Sequence, residues 1–169
     1  MVETAETPAN SVKGRVNVRR ATWRDKEQVL NLLQQLQEVT PGVSMPPRYQ
    51  VGRIFDQHIN SPLYALLVAE VNPGDGRKPQ LVGVCSMALR STLSHAGVSA
   101  LIDEVVVAEE FRQQGVASAL LEQAVRVAEA AGCREVEVST TWDNEPARNL
   151  YKKLGFAETG IWLERHFER

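Results

Sequence analysis

The hexapeptide Arg112-Gln113-Gln114-Gly115-Val116-Ala117 is where residue types and spacing most directly invite chemistry. It follows the apolar run 100–107 and opens an alanine-rich, helix-forming stretch. A helix start leaves four backbone N–H groups without partners, and the peptide dipoles add partial positive charge there. Both favour a bound phosphate or pyrophosphate. Gly115 can take the positive φ that aims successive N–H groups into one concavity, and it lets a ligand approach the backbone. Ala117 is small enough to leave room, while Arg112 and Gln113 offer donors at the rim. Alone the pattern is weak: average residue usage produces it on the order of once in several chains of this size. A plain strand-to-helix turn containing glycine is the competing reading. No Lys-Ser/Thr follows Gly115, as a P-loop requires, and G-x-G-x-x-G is absent.

A second chemical feature lies just upstream. Asp103 and Glu104 interrupt an otherwise apolar strand. Burial raises a carboxyl pKa towards the range useful to a general base. Strict strand alternation puts the two on opposite faces, so one of them at most would serve a site. Strand-end carboxylates satisfied by hydrogen bonds are the alternative.

The elements that must position these groups are legible from periodicity. Residues 15–19 alternate as a first strand. Thr22 caps a helix over 23–39, with Asp25 in its first turn and Val29, Leu30, Leu32, Leu33 and Leu36 on its core face. Pro41, Gly42, Pro46 and Pro47 break it, and a second helix is predicted at about 47–60. A continuous apolar strand at 63–71 turns at 72–76 into a hairpin partner at 80–89. A polar loop at 91–97 leads to the strand at 100–107. The helix 117–131 ends at Gly132, and 134–139 is a strand lying parallel to 100–107 through a right-handed crossover. A short helix at 146–154, opened by Pro146 and closed by Gly155, precedes a last strand at 161–167 with an antiparallel return.

Bulk properties narrow the setting. At 169 residues the chain suits one domain with a real core, and 43% apolar residues are ordinary for a globular protein. The expected organisation is a loose tail over 1–14 and a single domain over 15–169. Nineteen basic residues face twenty-one acidic ones, so no nucleic-acid-binding surface is expected. No apolar run reaches the length of a membrane span, and no export signal is visible, which points to a cytoplasmic protein. Cys85 and Cys133 are too few for a disulfide framework, have no zinc spacing, and read as inert thiols. His58, His95 and His166 have no clustered partners in the sequence, so no metal is expected.

Taken together, Val105-Val106-Val107, Arg112–Ala117, Asn144 and the run Leu150-Tyr151-Lys152-Lys153-Leu154-Gly155-Phe156 resemble the GNAT superfamily of N-acetyltransferases. The resemblance runs from about residue 15 to the C-terminus, with its specific motifs between 101 and 156. It implies an α/β (mixed α+β) fold: a mostly antiparallel sheet splayed between two parallel strands, with helices on both faces. Acetyl-CoA would lie in the splay. Its pantetheine arm would meet backbone groups of Val105, Val106 and Val107. Its pyrophosphate would rest on the amides of Arg112, Gln113, Gln114, Gly115, Val116 and Ala117. Many members carry Gly where this chain has Ala117, and a small residue suffices.

Acyl transfer from a thioester to an amine sets its own demands. A free alkyl amine is largely protonated at neutral pH, so a base must take its proton. The thiolate leaves more readily if an acid delivers a proton to sulfur, and backbone N–H groups can stabilise the oxyanion. Tyr151 occupies the position where many family members place this acid, and an unperturbed phenol pKa near 10 suits the task. Packing of the short helix by Leu150, Tyr151 and Leu154 is the other reading. Glu104 is the candidate base, directly or through water. Asn144 matches a coenzyme A contact and is equally a helix N-cap. Trp142 and His95 are placed to border an acceptor, and Arg48 and Arg53 to meet an anionic one, although exposed helix charges are commonplace. The acceptor expected first is a small-molecule amine, then a protein amine. A coenzyme A-binding module without catalysis is the rival from another class. A homodimer is common in the family, and nothing in the sequence demands one.

Overall fold

In a computed structural model, which describes residues 16–37, 46–72, 78–165 and 167, the chain builds five strands and four α-helices. Strand β1 (Val16–Arg20) leads through a 3-10 turn (Trp23–Asp25) into α1 (Lys26–Gln37) and α2 (Arg48–Asn60). Strands β2 (Tyr64–Val71), β3 (Gln80–Thr92) and β4 (Gly97–Val107) follow. A 3-10 turn at Glu109–Phe111 then precedes α3 (Val116–Ala130), β5 (Cys133–Val138) and α4 (Glu145–Lys153). The sheet order is β1-β2-β3-β4-β5. The first four strands pair antiparallel, and β5 joins β4 in parallel, as the intervening helix requires.

Helices cover both faces, which explains the unbroken apolar run of β2. Ala65, Leu67, Ala69 and Val71 face α3, whose Val116, Leu120, Leu121, Ala124 and Ala128 are buried against the sheet. Leu66 and Val68 face Val29, Leu30 and Leu32 of α1 and Phe55 of α2. A strand buried on both sides has no polar face to alternate with. Helix α3 sits close on the sheet at Gly83, where an added Cβ would lie 3.0 Å from Leu120 Cδ1 and 3.1 Å from the Val106 carbonyl.

A buried carboxylate fixes the start of α1. Asp25 accepts two bonds from Arg19, Nη1 to Oδ2 at 2.8 Å and Nη2 to Oδ1 at 2.9 Å, and it also takes the Thr22 amide at 2.7 Å. Arg19 Nε reaches Glu70 Oε2 at 3.1 Å, so β1, β2 and the helix entry share one ion-pair network. The Arg19 contact holds the Asp25 carboxyl well down, to about 2 against a usual 3.8. The native pKa is depressed, so this stabilisation is present above pH 3.8 and is lost as pH falls through about 2. Asp25→Ala is expected to cost roughly 2–3 kcal/mol, seen as a lower urea midpoint at neutral pH. The deficit should shrink towards pH 2. A constant deficit across that range would sink the assignment.

Several expectations need correction. The polar loop predicted at 91–97 is only the four-residue turn 93–96, because β3 continues to Thr92 and β4 begins at Gly97. Over the described residues 161–165 and 167 the predicted final strand is not formed, and Ile161, Trp162, Leu163 and Phe167 are exposed. Alternating apolar residues license a strand only when a sheet edge receives them. The tail at 1–14, the Leu36 side chain, most of the turn at 72–76 and His166 fall outside the described residues. No described helix is long and apolar enough to cross a membrane.

Candidate active site

The parallel pair β4–β5 is short. Ala100 pairs with Val136, Leu101 with Glu137 and Ile102 with Val138, where β5 ends. β4 runs on to Val107, so its last five residues have no strand beside them on that side among the described residues. Their other edge stays paired to β3, with Val105 opposite Cys85, Val106 opposite Val84 and Val107 opposite Gly83. A strip of strand backbone at Val105–Val107 is thus left open to a ligand.

A β-bulge marks where the pair opens. Ser86 pairs with Glu104 and Met87 with Ile102, leaving Asp103 as the extra residue. Ile102 and Val105 both pack on the α3 face despite their odd spacing. The alternation that would place Asp103 and Glu104 on opposite faces is therefore broken, which corrects the sequence expectation. Asp103 lies within electrostatic reach of Glu104, and of His58 and Arg90 as well.

Glu104 is perturbed towards neutrality. Burial, with the nearby Asp103 charge adding to it, raises its pKa from 4.5 to about 7. Ser86, itself buried, hydrogen-bonds the Glu104 carboxylate through its hydroxyl, and the same oxygen accepts the Glu104 amide at 3.2 Å. Sequence reasoning passed over Ser86. The available signal was a lone hydroxyl inside the apolar strand β3. Removing it with Ser86→Ala takes away a bond that favours the charged carboxylate, so the Glu104 pKa should rise further. The expected outcome is an alkaline shift of the pH–rate limb; an unmoved limb would count against the contact.

Tyr151 comes from α4 and packs against the same α3-side cluster that holds Cys85 and Val105. Its ring meets Phe156 edge-on, centroids 5.9 Å apart. Burial raises its pKa, so the phenol keeps its proton at neutral pH. The Cys85 thiol beneath is buried and pushed up to about 12, mainly by desolvation, as expected of an inert thiol.

The turn after β4 has the shape an anion needs. Gln113 and Gly115 both adopt left-handed backbone, at φ 59 and φ 87. Gly115 is the N-cap of α3 and no side chain caps that helix, which leaves the amides at Val116 and Ala117 available. Arg112 Nε is bonded to the Val107 carbonyl at 3.2 Å and Gln114 Nε2 to the Glu110 carbonyl at 2.7 Å, tying the turn to the strand end. The positive φ of Gln113 was not legible, since only glycine advertises that conformation. At α4 the cap is filled: Asn144 Oδ1 accepts the Ala147 amide at 3.3 Å.

Four further candidates have surroundings of their own. Arg48 is engaged with Glu27 at 2.8 Å and Asn31 at 2.9 Å, joining α2 to α1. Arg53 is exposed on α2. His95 Nδ1 lies 3.1 Å from Thr92 Oγ1 and 3.4 Å from Glu135. Trp142 is exposed under the Arg148 guanidinium, 5.2 Å from its ring centroid. Among the described residues no three His, Cys, Asp or Glu side chains gather to hold a metal ion.

Residues 28–156 match the model of the acetyltransferase (GNAT) family. The chain belongs to the GNAT family. It is 28% identical over 142 residues to a thialysine N-epsilon-acetyltransferase of Bos taurus, covering 83% of each chain. An N-alpha-acetyltransferase of Sulfurisphaera tokodaii is likewise 28% identical, over 94% of this chain and 90% of its own. An aminoglycoside N-acetyltransferase solved in complex with CoA superposes with a TM-score of 0.75 at 22% identity, covering 97% of this chain and 100% of its own. This GNAT chain is accordingly an acyltransferase.

Proposed function

We propose that the chain transfers an acetyl group from acetyl-CoA to a primary amine of a small molecule, by direct attack in a ternary complex. The observation that carries this reading is the opening of the β4–β5 pair beside the Glu104 carboxyl, whose pKa burial raises to about 7. Strand β4 offers backbone groups of Val105, Val106 and Val107 to the pantetheine arm. The uncapped α3 start and the left-handed pair Gln113 and Gly115 hold the pyrophosphate, with Arg112, Gln114, Val116 and Ala117 completing the turn. Asn144, its Oδ1 engaged in the α4 cap, contacts coenzyme A from the opposite side chain end.

Glu104 takes a proton from the acceptor ammonium, directly or through water, freeing the nitrogen lone pair. The nitrogen bonds to the thioester carbonyl carbon, and the carbon–sulfur bond breaks as the oxyanion collapses. Tyr151 delivers its proton to the departing sulfur, and the second proton that the nitrogen must lose to become the amide returns to the tyrosinate through solvent. Positioning of both substrates supplies much of the acceleration without a covalent enzyme intermediate.

The test is turnover with acetyl-CoA across a panel of small amines, lysine analogues and peptides with free N-termini. Thiol release with a small amine supports the reading. Activity confined to peptides would move the acceptor to a protein amine, a class represented by the N-alpha-acetyltransferase relative. Gly115→Val tests the cradle. A β-branched residue at φ 87 is strained by about 1–3 kcal/mol, so KM for acetyl-CoA should rise about tenfold or more. An unchanged KM would place the pyrophosphate elsewhere.

A further inference from the structure

Among the described residues, Arg90 Nε and Ser99 Oγ are buried side-chain atoms without a hydrogen-bond partner. They belong to one rung, since Arg90 of β3 pairs with Ser99 of β4. A buried donor left without a partner is destabilising, so its persistence calls for a reason. Leu89, Ala100, Val136 and Val138 pack on the α3 side, so alternation turns Arg90, Ser99 and Glu137 to the other face. There Arg90 Nη2 donates to the Glu137 carboxylate. Glu137 lies on β5, so the arginine must cross β4 to reach it. Ser99, beside Arg90 on β4, is fully buried.

The crossing falls at a particular place. Glu137 stands opposite Leu101, one rung before the β4–β5 pair ends at Ile102 and Val138. The ladder there is short, running from Ala100–Val136 to Ile102–Val138 with a register irregularity just before it. Asp103, the next residue along β4, is also within electrostatic reach of Arg90. One cation therefore faces a carboxylate from each wall of the fork. Without it, Asp103 and Glu137 are like charges across the point where the strands part.

We propose that Arg90 is a positioning residue that straps β5 to β3 across β4 and fixes where the opening begins, an inference resting on the reading of that opening as the acetyl-CoA site. The Arg90 and Glu137 side chains are 39% and 41% exposed, so their pair adds little to global stability. Its effect is local. A strapped fork presents the backbone of Val105–Val107 in a slot of fixed width, whereas a fraying one must be ordered by the ligand at a cost in affinity. The contact with Glu137 uses a single guanidinium nitrogen, so a point charge in its place should serve.

Three variants of the full chain test the strap by steady-state kinetics and hydrogen exchange. Arg90→Met keeps the stem and removes the charge, Glu137→Gln keeps the shape of the partner, and Arg90→Lys restores a cation. The first two should raise KM for acetyl-CoA at least about fivefold, with kcat at saturation within about twofold of the parent. Arg90→Lys should bring KM back to within about twofold. Amides of Glu137 and Val138 should exchange at least about tenfold faster in the first two, with α3 amides unchanged. If Arg90→Met fails to fold, Glu137→Gln carries the same readouts on a half-exposed, isosteric change. A parent that neither binds nor uses acetyl-CoA overturns the cofactor reading, and the exchange rates still decide whether Arg90 straps the fork. Unchanged exchange at Glu137 and Val138 overturns the strap, and so does an unchanged KM in an active parent. A defect that Arg90→Lys leaves unrepaired overturns it as well, since the charge would not be what holds β5.

Discussion

Replacing Glu104 with glutamine is expected to slow acyl transfer by about 10²-fold and to remove the limb of the rate profile that rises through pH of about 7. Glutamine keeps the shape and can still accept from Ser86, so the cradle persists while the proton acceptor is gone. The same variant carries a second readout. The native Glu104 pKa is raised, so its contribution to stability is complete below pH 4.5 and is lost as pH rises through about 7. Glutamine has no charge to desolvate and avoids that loss. Between pH 4.5 and about 7 the variant should therefore gain stability relative to the parent while remaining slow. A variant that keeps both rate and limb would assign the base to Asp103 or to water.

The second large effect is expected for Tyr151→Phe. Phenylalanine retains the packing on the α3-side cluster and the edge-on contact with Phe156, so the melting temperature should barely move. What disappears is one hydroxyl, protonated at neutral pH because burial raises its pKa. Loss of a general acid lowers kcat by about 10²-fold. KM for acetyl-CoA should stay within about twofold, because in the proposed mechanism the phenol acts on sulfur in the transition state rather than on the bound cofactor. Steady-state kinetics with a good amine separates the two parameters. Turnover equal to the parent would reduce Tyr151 to a packing residue.

Much of this arrangement was legible in the residues. Helical spacing at Leu120, Leu121, Ala124 and Ala128 located α3 and its buried face, and Gly115 located its start. Such signals are local, carried by side-chain period and by one residue with unusual backbone freedom. What escaped depends on neighbours distant in sequence. The bulge at Asp103 is a register mismatch against Ser86, and nothing within β4 alone announces it. Its effect is to bring both carboxylates away from the α3 face, where alternation would have separated them. The role of Ser86 is hidden for the same reason, since its partner is eighteen residues away. At the C-terminus the failure is of another kind: the alternation is present in the sequence, yet no strand forms over the described residues 161–165.

The order of strands in the sheet repeats their order along the chain. Every ladder thus forms between successive strands, and none has to wait for a segment threaded in from elsewhere. During synthesis, β1 to β4 can assemble with α1 and α2 before residue 133 has been added. The opening between β4 and β5 is different, because both its walls exist only once the last third of the chain is made. Protein cut short before Cys133 would be a sheet without that opening, so the ligand site proposed there would arrive as one of the last events of its biogenesis.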